Sequence, residues 1–494
     1  MTAEPRRSRL LHPLSILVKR LFCIAFALGL SGSGVSAQPD SSTSGSLLLS
    51  EVLESVRSQY PPYLAALIEF DIAAGRLRSA QGAFDLNVNA SGSFRPSGYY
   101  DGTTGYAMLE QGLPFWGGSV YGGYRYSDGF LPAYNKDRAQ GDGELALGFR
   151  LNLLRDGTID KRRASLTKAR IEQELADPIV LKQFIDFIRS ASIAYYNWVG
   201  AGKALDLAEA LLAIAKNRDK NVRDLVADGA AAPIIIVDNE RLMVSREISV
   251  VKARRLFEKA SIELSLFHRD SGDEPVLSDR ERLPAEFPGH PGPDKGRIAS
   301  DTAKALIFRP EVRAIQLKTD KAEVDYRLAK NAMLPNLDIA LEANQTTGSR
   351  STYKDIEDFE LEGRVEFKMP LQRREARGQV EAVAGFIQQL RAEEQFARNK
   401  IAADVQDAYS ALDAAALQIS RARRNVELAR QLQQAESDRL EAGASDLLPL
   451  QIREQATFDA QVSEVQALTD YFKAQADYRA AIAAEAPASL ARPE

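Results

Sequence analysis

Histidines are the first residues to test for chemistry, because the whole sequence contains only three of them. His268-Arg269-Asp270 has the residue order of a phosphoryl-transfer catalytic loop, but the downstream asparagine, the glycine-rich loop and the Asp-Phe-Gly triplet that such a site needs are missing from the sequence. The segment DSGDE at 270–274 offers carboxylates without the ligand spacing of a calcium loop. Phosphate-binding loops and the HExxH and GxSxG signatures are missing as well. The sequence therefore predicts no enzyme, no cofactor and no metal site.

Two acidic residues near helix-to-helix breaks form a second candidate group. Asp238 follows the break DGAAAP at 228–233, and Asp446 lies within the break AGASDLLP at 442–449. If several copies of the chain met at a narrow pore mouth, these carboxylates would form rings that bind cations and repel one another on opening. The alternative is an N-cap role for Asp446 at the start of the following helix and a solvated helix face for Asp238. A short Asp before an apolar helical run is an ordinary N-cap, so the pattern favours this alternative.

Alternating charge marks the stretch from Leu334 to Leu371. In FELEGRVEFKM every second residue is apolar and the intervening residues are mostly charged, which is typical of a strand with two unlike faces. LDIALE before it alternates in the same way, and a polar tract lies between, so the sequence predicts a β-hairpin over 335–370. On a pore wall the charged face would line the lumen and favour cations, because acids outnumber bases. Its residues are Asp338, Glu342, Glu360, Glu362, Arg364, Glu366 and Lys368.

The N-terminal residues 1–37 have the three parts of a secretory signal: basic residues, the apolar run LFCIAFALGL, and small residues before Gln38. Cleavage there would remove five basic residues and one acidic residue, leaving 58 basic and 67 acidic residues and a net charge of −9. Nucleic acid is therefore not an expected partner. The only cysteine, Cys23, lies inside this segment, so disulfide and thiol chemistry are not expected in the mature protein.

The periodicity along the rest of the chain indicates one plan stated twice, in a fold that is mainly helical with some β-structure. Each copy has a helix, a β-region and a pair of long helices, a repeat of about 200 residues, far longer than a solenoid unit. A polar leader 38–46 precedes the first repeat, 47–268, which has a β-region 84–154 and long helices 155–228 and 233–268. A Pro/Gly-rich linker 269–300 joins it to the second repeat, 301–486, which has a β-hairpin 335–370 and long helices 371–442 and 447–484. A tail, 487–494, follows.

The β-regions need a partner, because an isolated hairpin is marginally stable and exposes open edges. Two hairpins give four strands, too few to close a barrel, whereas three copies of four give twelve. The first β-region is longer than a simple hairpin, so it adds either an extra strand pair or an ordered external loop. The helical run 371–442 would extend on the order of 100 Å if continuous, more than an ordinary globular domain can contain.

The duplicated order resembles the TolC-like outer-membrane efflux proteins. The resemblance rests on RPEV at 309–312, MLPNLDI at 333–339, and the turn motifs RDLVADGAAAPIIIVDNE at 223–240 and DRLEAGASDLLPLQIREQ at 438–455. It implies a homotrimer with a twelve-stranded barrel in the outer membrane of a Gram-negative bacterium, in contact with its lipid. A long periplasmic α-helical barrel would continue it.

The resemblance also implies partners: a periplasmic adaptor and an inner-membrane transporter of a tripartite efflux or type I secretion system. The chain departs from the family at Pro449, where many members place an acidic residue near the periplasmic mouth. Asp238 and Asp446 are the expected substitutes. The alternatives are a periplasmic adaptor, which would carry one long helical hairpin flanked by small β-domains, and a structural coiled-coil protein.

Overall fold

The computed structural model describes residues 45–130, 143–230, 232–347 and 359–486, so the predicted signal peptide and C-terminal tail lie outside the described residues. Within these ranges the chain forms eight α-helices and six β-strands. The helices are α1 Leu49–Gln59, α2 Pro61–Gln81, α3 Lys161–Ala227, α4 Ile234–Ser265, α5 Ile298–Phe308, α6 Pro310–Asn331, α7 Arg374–Glu441 and α8 Leu447–Ala481. The strands are β1 Leu86–Arg95, β2 Asp101–Gly112, β3 Ser119–Phe130, β4 Glu144–Asn152, β5 Asn336–Thr346 and β6 Phe359–Lys368.

Helices α3 and α7 are the longest elements, with 67 and 68 residues. At 1.5 Å per residue each extends for about 100 Å. Helix α3 begins after Asp160, whose side chain accepts a hydrogen bond from the backbone N–H of Arg163 at 2.8 Å, satisfying one of the free N–H groups of the first turn. Pro178 and the Gly200-Ala201-Gly202 segment, where kinks are predicted, both lie inside this one continuous helix.

The turns that join the long helices share one geometry. Gly229 and Gly443 have φ angles of +71° and +69°, in the left-handed region that glycine enters without steric cost. In each turn the glycine N–H donates to the carbonyl three residues earlier, and the N–H of the following alanine, Ala230 or Ala444, donates to the carbonyl five residues earlier. This is the Schellman arrangement, which ends a helix and reverses the chain.

The two long helical hairpins lie side by side. Helix α3 packs against α4 and α8, and α8 packs against α7, so the order across the four helices is α4, α3, α8, α7. Nearer the sheet, α3 and α7 are also joined by α6, which packs against both. Among the described residues, no helix combines the length and the apolar character needed to cross a membrane.

The principal hydrophobic core lies where α1 and α2 meet the middle of the long helices. Its largest fully buried side chains are Trp198, Tyr471 and Phe472. The predicted linker packs against these helices as an ordered segment: the Tyr471 hydroxyl donates to the carbonyl of Pro291 at 2.6 Å. The segment therefore helps to hold the helices together.

Gly200 allows α3 to approach α8 closely. A Cβ atom at this position would lie 2.3 Å from Oγ1 of Thr469. Gly200→Ala is therefore expected to lower the free energy of unfolding by about 1–3 kcal/mol, the usual cost of overpacking, measured by chemical denaturation in detergent. Gly385→Ala on α7 is the matched control, because a Cβ there meets nothing within 4 Å. The control should gain roughly 0.5–1 kcal/mol from helix propensity; equal effects of the two variants would contradict the packing role.

All six strands form one antiparallel sheet in the order β1-β2-β3-β4-β5-β6. Its two halves come from the two β-regions and join where β4 pairs with β5, with Gly148 opposite Glu342. The prediction of four strands per chain is wrong, and the count of twelve that was built on it, three copies of four, no longer follows. Of the two alternatives for the longer first β-region, the structure has the extra strand pair, β2 and β3.

A tight turn at 113–118 creates the extra pair. The N–H of Leu113 donates to the carbonyl of Gly118 at 2.8 Å, and Trp116 and Gly117 have φ angles of +47° and +53°. These angles reverse the chain so that β2 and β3 pair over their full lengths, from Gly112 opposite Ser119 onward. In the sequence this turn is a run of apolar, aromatic and glycine residues between two weakly alternating segments. The pattern that would predict strands β2 and β3 is therefore weak.

Candidate functional site

One face of the sheet carries charge from every strand between β2 and β6. Directly paired residues point to the same side of a sheet, and one row of pairs runs from Glu110 through Tyr121 and Gly148 to Glu342 and Glu362. The same register places all seven residues predicted to line a lumen on this side. We call this side the charged face: Glu110, Tyr121, Arg125, Glu144, Arg150, Asp338, Glu342, Glu360, Glu362, Arg364, Glu366 and Lys368.

A hydrogen-bonded ion cluster lies at the centre of the charged face. The Arg125 guanidinium on β3 lies 2.7 Å from the Glu342 carboxylate on β5 and 3.3 Å from that of Glu144 on β4. The Tyr121 hydroxyl donates to Glu342 at 2.8 Å. Charge-assisted hydrogen bonds of this kind are roughly twice as strong as neutral ones. The cluster therefore fixes β3, β4 and β5 to one another and neutralises part of the acidic charge.

The opposite face of the sheet is apolar and exposed. The alternate residues of each strand point to this side, and many are large hydrophobic side chains that are exposed in the single chain. A contiguous apolar surface of this extent requires a lipid or protein partner. We call it the apolar face: Leu86, Val88, Leu109, Val120, Leu145, Leu147, Leu341, Leu361, Val365 and Phe367.

Aromatic residues stand at both ends of the sheet. Phe115 and Trp116, in the turn between β2 and β3, are 51% and 53% exposed. Phe94 and Tyr99, at the opposite end next to the β1–β2 connection, are 72% and 83% exposed. Strands with an apolar face between two aromatic ends are typical of sheets that cross an outer membrane.

The predicted acidic residues lie at the other end of the long helices, beside the two turns. Asp238 is exposed in the first turns of α4. Asp446 occupies the N-cap position of α8 and is exposed, but its side chain makes no capping hydrogen bond. The capping role proposed for Asp446 is therefore wrong in this structure, and a role for either residue at a pore mouth stays a prediction.

A buried ion cluster near these turns was not foreseen from the sequence. The Glu454 carboxylate on α8, whose side chain is 4% exposed, contacts Arg218 on α3 and lies 2.8 Å from Nη2 of Arg246 on α4. Arg246 is 2% exposed and also donates to the carbonyl of Leu211 at 2.9 Å. One carboxylate thus connects the two long helical hairpins. No sequence signal connects Arg218 with Glu454, because 236 positions separate them.

His268, the residue of the rejected catalytic motif, has a packing role. It lies just beyond the end of α4, is buried, and contacts the Ser278 hydroxyl at 3.3 Å and the Glu51 carboxylate at 3.7 Å. Burial lowers the pKa of its imidazole, and the nearby Glu51 carboxylate only partly offsets this effect. The neutral ring therefore helps to hold the segment after α4 against α1.

Known protein families and solved structures were compared with this chain, and the matches are to outer-membrane proteins. The family model described as "Outer membrane efflux protein" matches residues 302–484. No curated protein sequence matches the chain. Three solved structures each cover 88% of this chain: the outer-membrane channel OprN (TM-score 0.64, 16% identity, 89% of that chain covered), VceC of Vibrio cholerae (0.63, 14%, 95%) and the open state of the MtrE channel of Neisseria gonorrhoeae (0.63, 17%, 88%). At these identities the likeness establishes the fold.

The fold and the family match are both consistent with a sheet that has one charged face and one apolar face. The matched segment 302–484 contains α6, β5, β6, α7 and α8, that is, one complete set of the elements that build the sheet and the long helices. The resemblance seen in the turn and strand-entry motifs is therefore confirmed. Residues 302–484 of this chain therefore match the family of outer membrane efflux proteins, and 88% of the chain shares the fold of solved outer-membrane channels.

Proposed function

We propose that this protein is the passive exit channel of a tripartite efflux or type I secretion system and that it works as a homotrimer. The observation that carries the proposal is the amphipathic sheet, with a charged face and an exposed apolar face, whose strands continue into helices of 67 and 68 residues. Closed around an axis with the apolar face outward, such sheets satisfy their edges in lipid. The long helices then extend the duct into the periplasm.

The partners follow from this arrangement. A passive duct needs a transporter in the inner membrane as its energy source, and a periplasmic adaptor would join the two. The turns at 228–233 and 442–446 are the ends of the helices farthest from the sheet, so they are the proposed contact with the adaptor and transporter. Asp238 and Asp446 are exposed beside these turns, and three copies of each would form acidic rings at the mouth.

Fractionation and cross-linking test the proposal. We expect the protein in the outer-membrane fraction, extractable by detergent as a trimer, with cross-linked inner-membrane transporter recovered by affinity capture. A soluble monomer would refute the channel. Capture of a peptidase-containing ATPase would identify polypeptide secretion, and capture of a proton-driven pump would identify efflux.

The charged face is expected to give the pore a weak cation preference, because its acidic residues outnumber its basic residues and charged rings select ions of opposite sign. Reversal potentials in planar bilayers under a salt gradient measure the preference. Glu366→Gln should reduce it, and Arg364→Gln on the same strand should increase it. Anion preference of the unchanged protein, or shifts of the same sign in both variants, would contradict a role of this face in the lumen.

A further inference from the structure

We propose that the β2–β3 hairpin is part of the transmembrane wall, so that closure of three copies of this chain gives a barrel of eighteen strands. The proposal rests on the trimeric channel proposed above and concerns how that channel is closed. Six strands per chain are observed in the described residues, and the occupant proposed for each open sheet edge is a second copy of this chain.

The hairpin is inserted within the sheet and does not lie on its surface. Strand β2 pairs with β1 at every residue from Leu86 to Arg95, and β3 pairs with β4 from Ser119 to Arg125. The strand order contains no pairing of β1 with β4 among the described residues. A wall without the hairpin would therefore have to break two ladders of hydrogen bonds and form a new one.

The hairpin also carries the same two faces as the other strands. Leu109 and Val120 lie in one plane with the apolar face, while Glu110 and Tyr121, the next residues along the strands, lie on the charged face. A flap or plug surrounded by water would have no need for an apolar side in register with that of β5 and β6. This alternation is the pattern that a lipid-facing wall requires.

The charge of the lumen depends on the hairpin. Arg125 and Tyr121 on β3 both reach Glu342, which lies on β5 two strands away. This contact is possible because Gly148 on β4 lies between Tyr121 and Glu342 in the same row and has no side chain to separate them. The extra strands therefore complete the ion cluster at the centre of the charged face.

The edges of the sheet fit a second copy of the same chain. Strands β1 and β6 have ten residues each, and all their residues are exposed in the single chain. Because the number of strands in an up-and-down sheet is even, the two edge strands run in opposite directions. Rotation about an axis along the barrel therefore places β6 of one copy beside β1 of the next as an antiparallel pair, which needs no change of either strand.

Eighteen strands imply a wide duct. Barrel diameter grows roughly linearly with strand number, and barrels of 16–18 strands leave an aqueous channel. An eighteen-stranded wall would be about half as wide again as one of twelve. The narrowest point of the duct would then lie among the helices, at the turns carrying Asp238 and Asp446, and the sheet would pass any solute that the helices admit.

Single-cysteine labelling in proteoliposomes tests the inference. The chain offers a suitable background, because its only cysteine, Cys23, lies in the predicted signal peptide 1–37. Cysteine replaces one residue of each face on three strands: Leu109 and Glu110 on β2, Val120 and Tyr121 on β3, and Leu361 and Glu362 on β6 as the reference pair. Each variant is reacted with a membrane-impermeant thiol reagent, and with an environment-sensitive fluorophore whose emission is quenched by spin-labelled lipid.

We expect the same alternation on all three strands: lipid quenching at 109, 120 and 361, and water labelling at 110, 121 and 362. Water labelling of both faces of β2 and β3, with alternation kept on β6, would overturn the eighteen-stranded wall and leave the channel intact. Loss of alternation on β6 as well would instead refute the channel. Two strands of the hairpin are sampled, so failure of one variant to reach the membrane does not remove the test.

Discussion

Glu454→Gln is expected to lower the free energy of unfolding by about 3–5 kcal/mol, the usual cost of removing one partner from a buried ion pair. The substitution keeps the size of the side chain and removes its charge. Two guanidinium groups, those of Arg218 and Arg246, would then share a buried site without a carboxylate. Because Arg246 is only 2% exposed, water cannot replace the lost partner without opening the helices.

The consequence should appear at the junction of the helical hairpins. Glu454 is the carboxylate through which α8 contacts both α3 and α4, so its loss should separate the hairpins near their turns before the rest of the chain unfolds. Guanidinium-induced unfolding in detergent measures the global effect, and hydrogen exchange of α4 and α8 locates it. We expect faster exchange near the turns and unchanged exchange in the core around Trp198.

Glu464→Gln is the matched control. Glu464 lies on the same helix and pairs with Arg423 at 3.2 Å, but its side chain is 25% exposed and that of Arg423 is 50% exposed. Exposed pairs contribute about 0–1 kcal/mol, so this variant should unfold almost as the unchanged protein does. Replacement of all three clustered residues by apolar side chains of similar size should restore much of the stability lost in Glu454→Gln, because no buried charge would remain. Equal stability of the Glu454 and Glu464 variants would show that water reaches the cluster.

Local patterns predicted the helices well because their signals are contained in short segments. The second helical pair, expected over 371–442 and 447–484, is observed at Arg374–Glu441 and Leu447–Ala481. The turn glycines are local signals, and the 3.6-residue period is contained in segments of a few helical turns. The start of α3 was expected at 155 and is observed at Lys161, because a strand end and a short loop that returns to the carbonyl of Pro335 precede the Asp160 cap.

Contacts between distant segments could not be predicted in the same way. The pairing of Arg218 with Glu454 and the packing of Gly200 on Thr469 join helices from opposite halves of the chain, and neither leaves a periodic signal. The extra strand pair was an open alternative, since the aromatic and glycine residues around Trp116 suit a strand, a turn or a loop. The seven charged residues of β5 and β6 were assigned to one face because alternation alone determines the face.

Gly148→Val is expected to disrupt the centre of the charged face. A Cβ atom on Gly148 would lie 2.6–2.8 Å from ring and hydroxyl atoms of Tyr121, so the ring must move away. Its hydrogen bond to Glu342, 2.8 Å long, would break, and the carboxylate would lose one of its hydrogen-bond donors. Overpacking costs about 1–3 kcal/mol, and the lost hydrogen bond to a charged group adds roughly 1.5–3 kcal/mol.

Gly363→Val isolates this effect from the general effect of a larger side chain in a strand. Gly363 lies in the same sheet, on the apolar face, and a Cβ there would only approach Cδ1 of Leu341 at 3.9 Å, an ordinary contact. Valine favours strands, so this variant should be neutral or slightly stabilised. The thermal midpoint of dissociation of the detergent-solubilised trimer measures both.

The proposed trimer makes the Gly148→Val effect threefold, since each copy contributes one such row to the wall. We therefore expect a clear fall of the midpoint and a changed cation preference for Gly148→Val, and neither for Gly363→Val. Tyr121→Phe separates the two causes, because it keeps the ring over Gly148 and removes only the hydrogen bond; it should reproduce about half of the loss. If Gly148→Val dissociates as the unchanged protein does, the Tyr121 ring does not cover Gly148 in the assembled wall, and β3 must leave the sheet when the trimer forms.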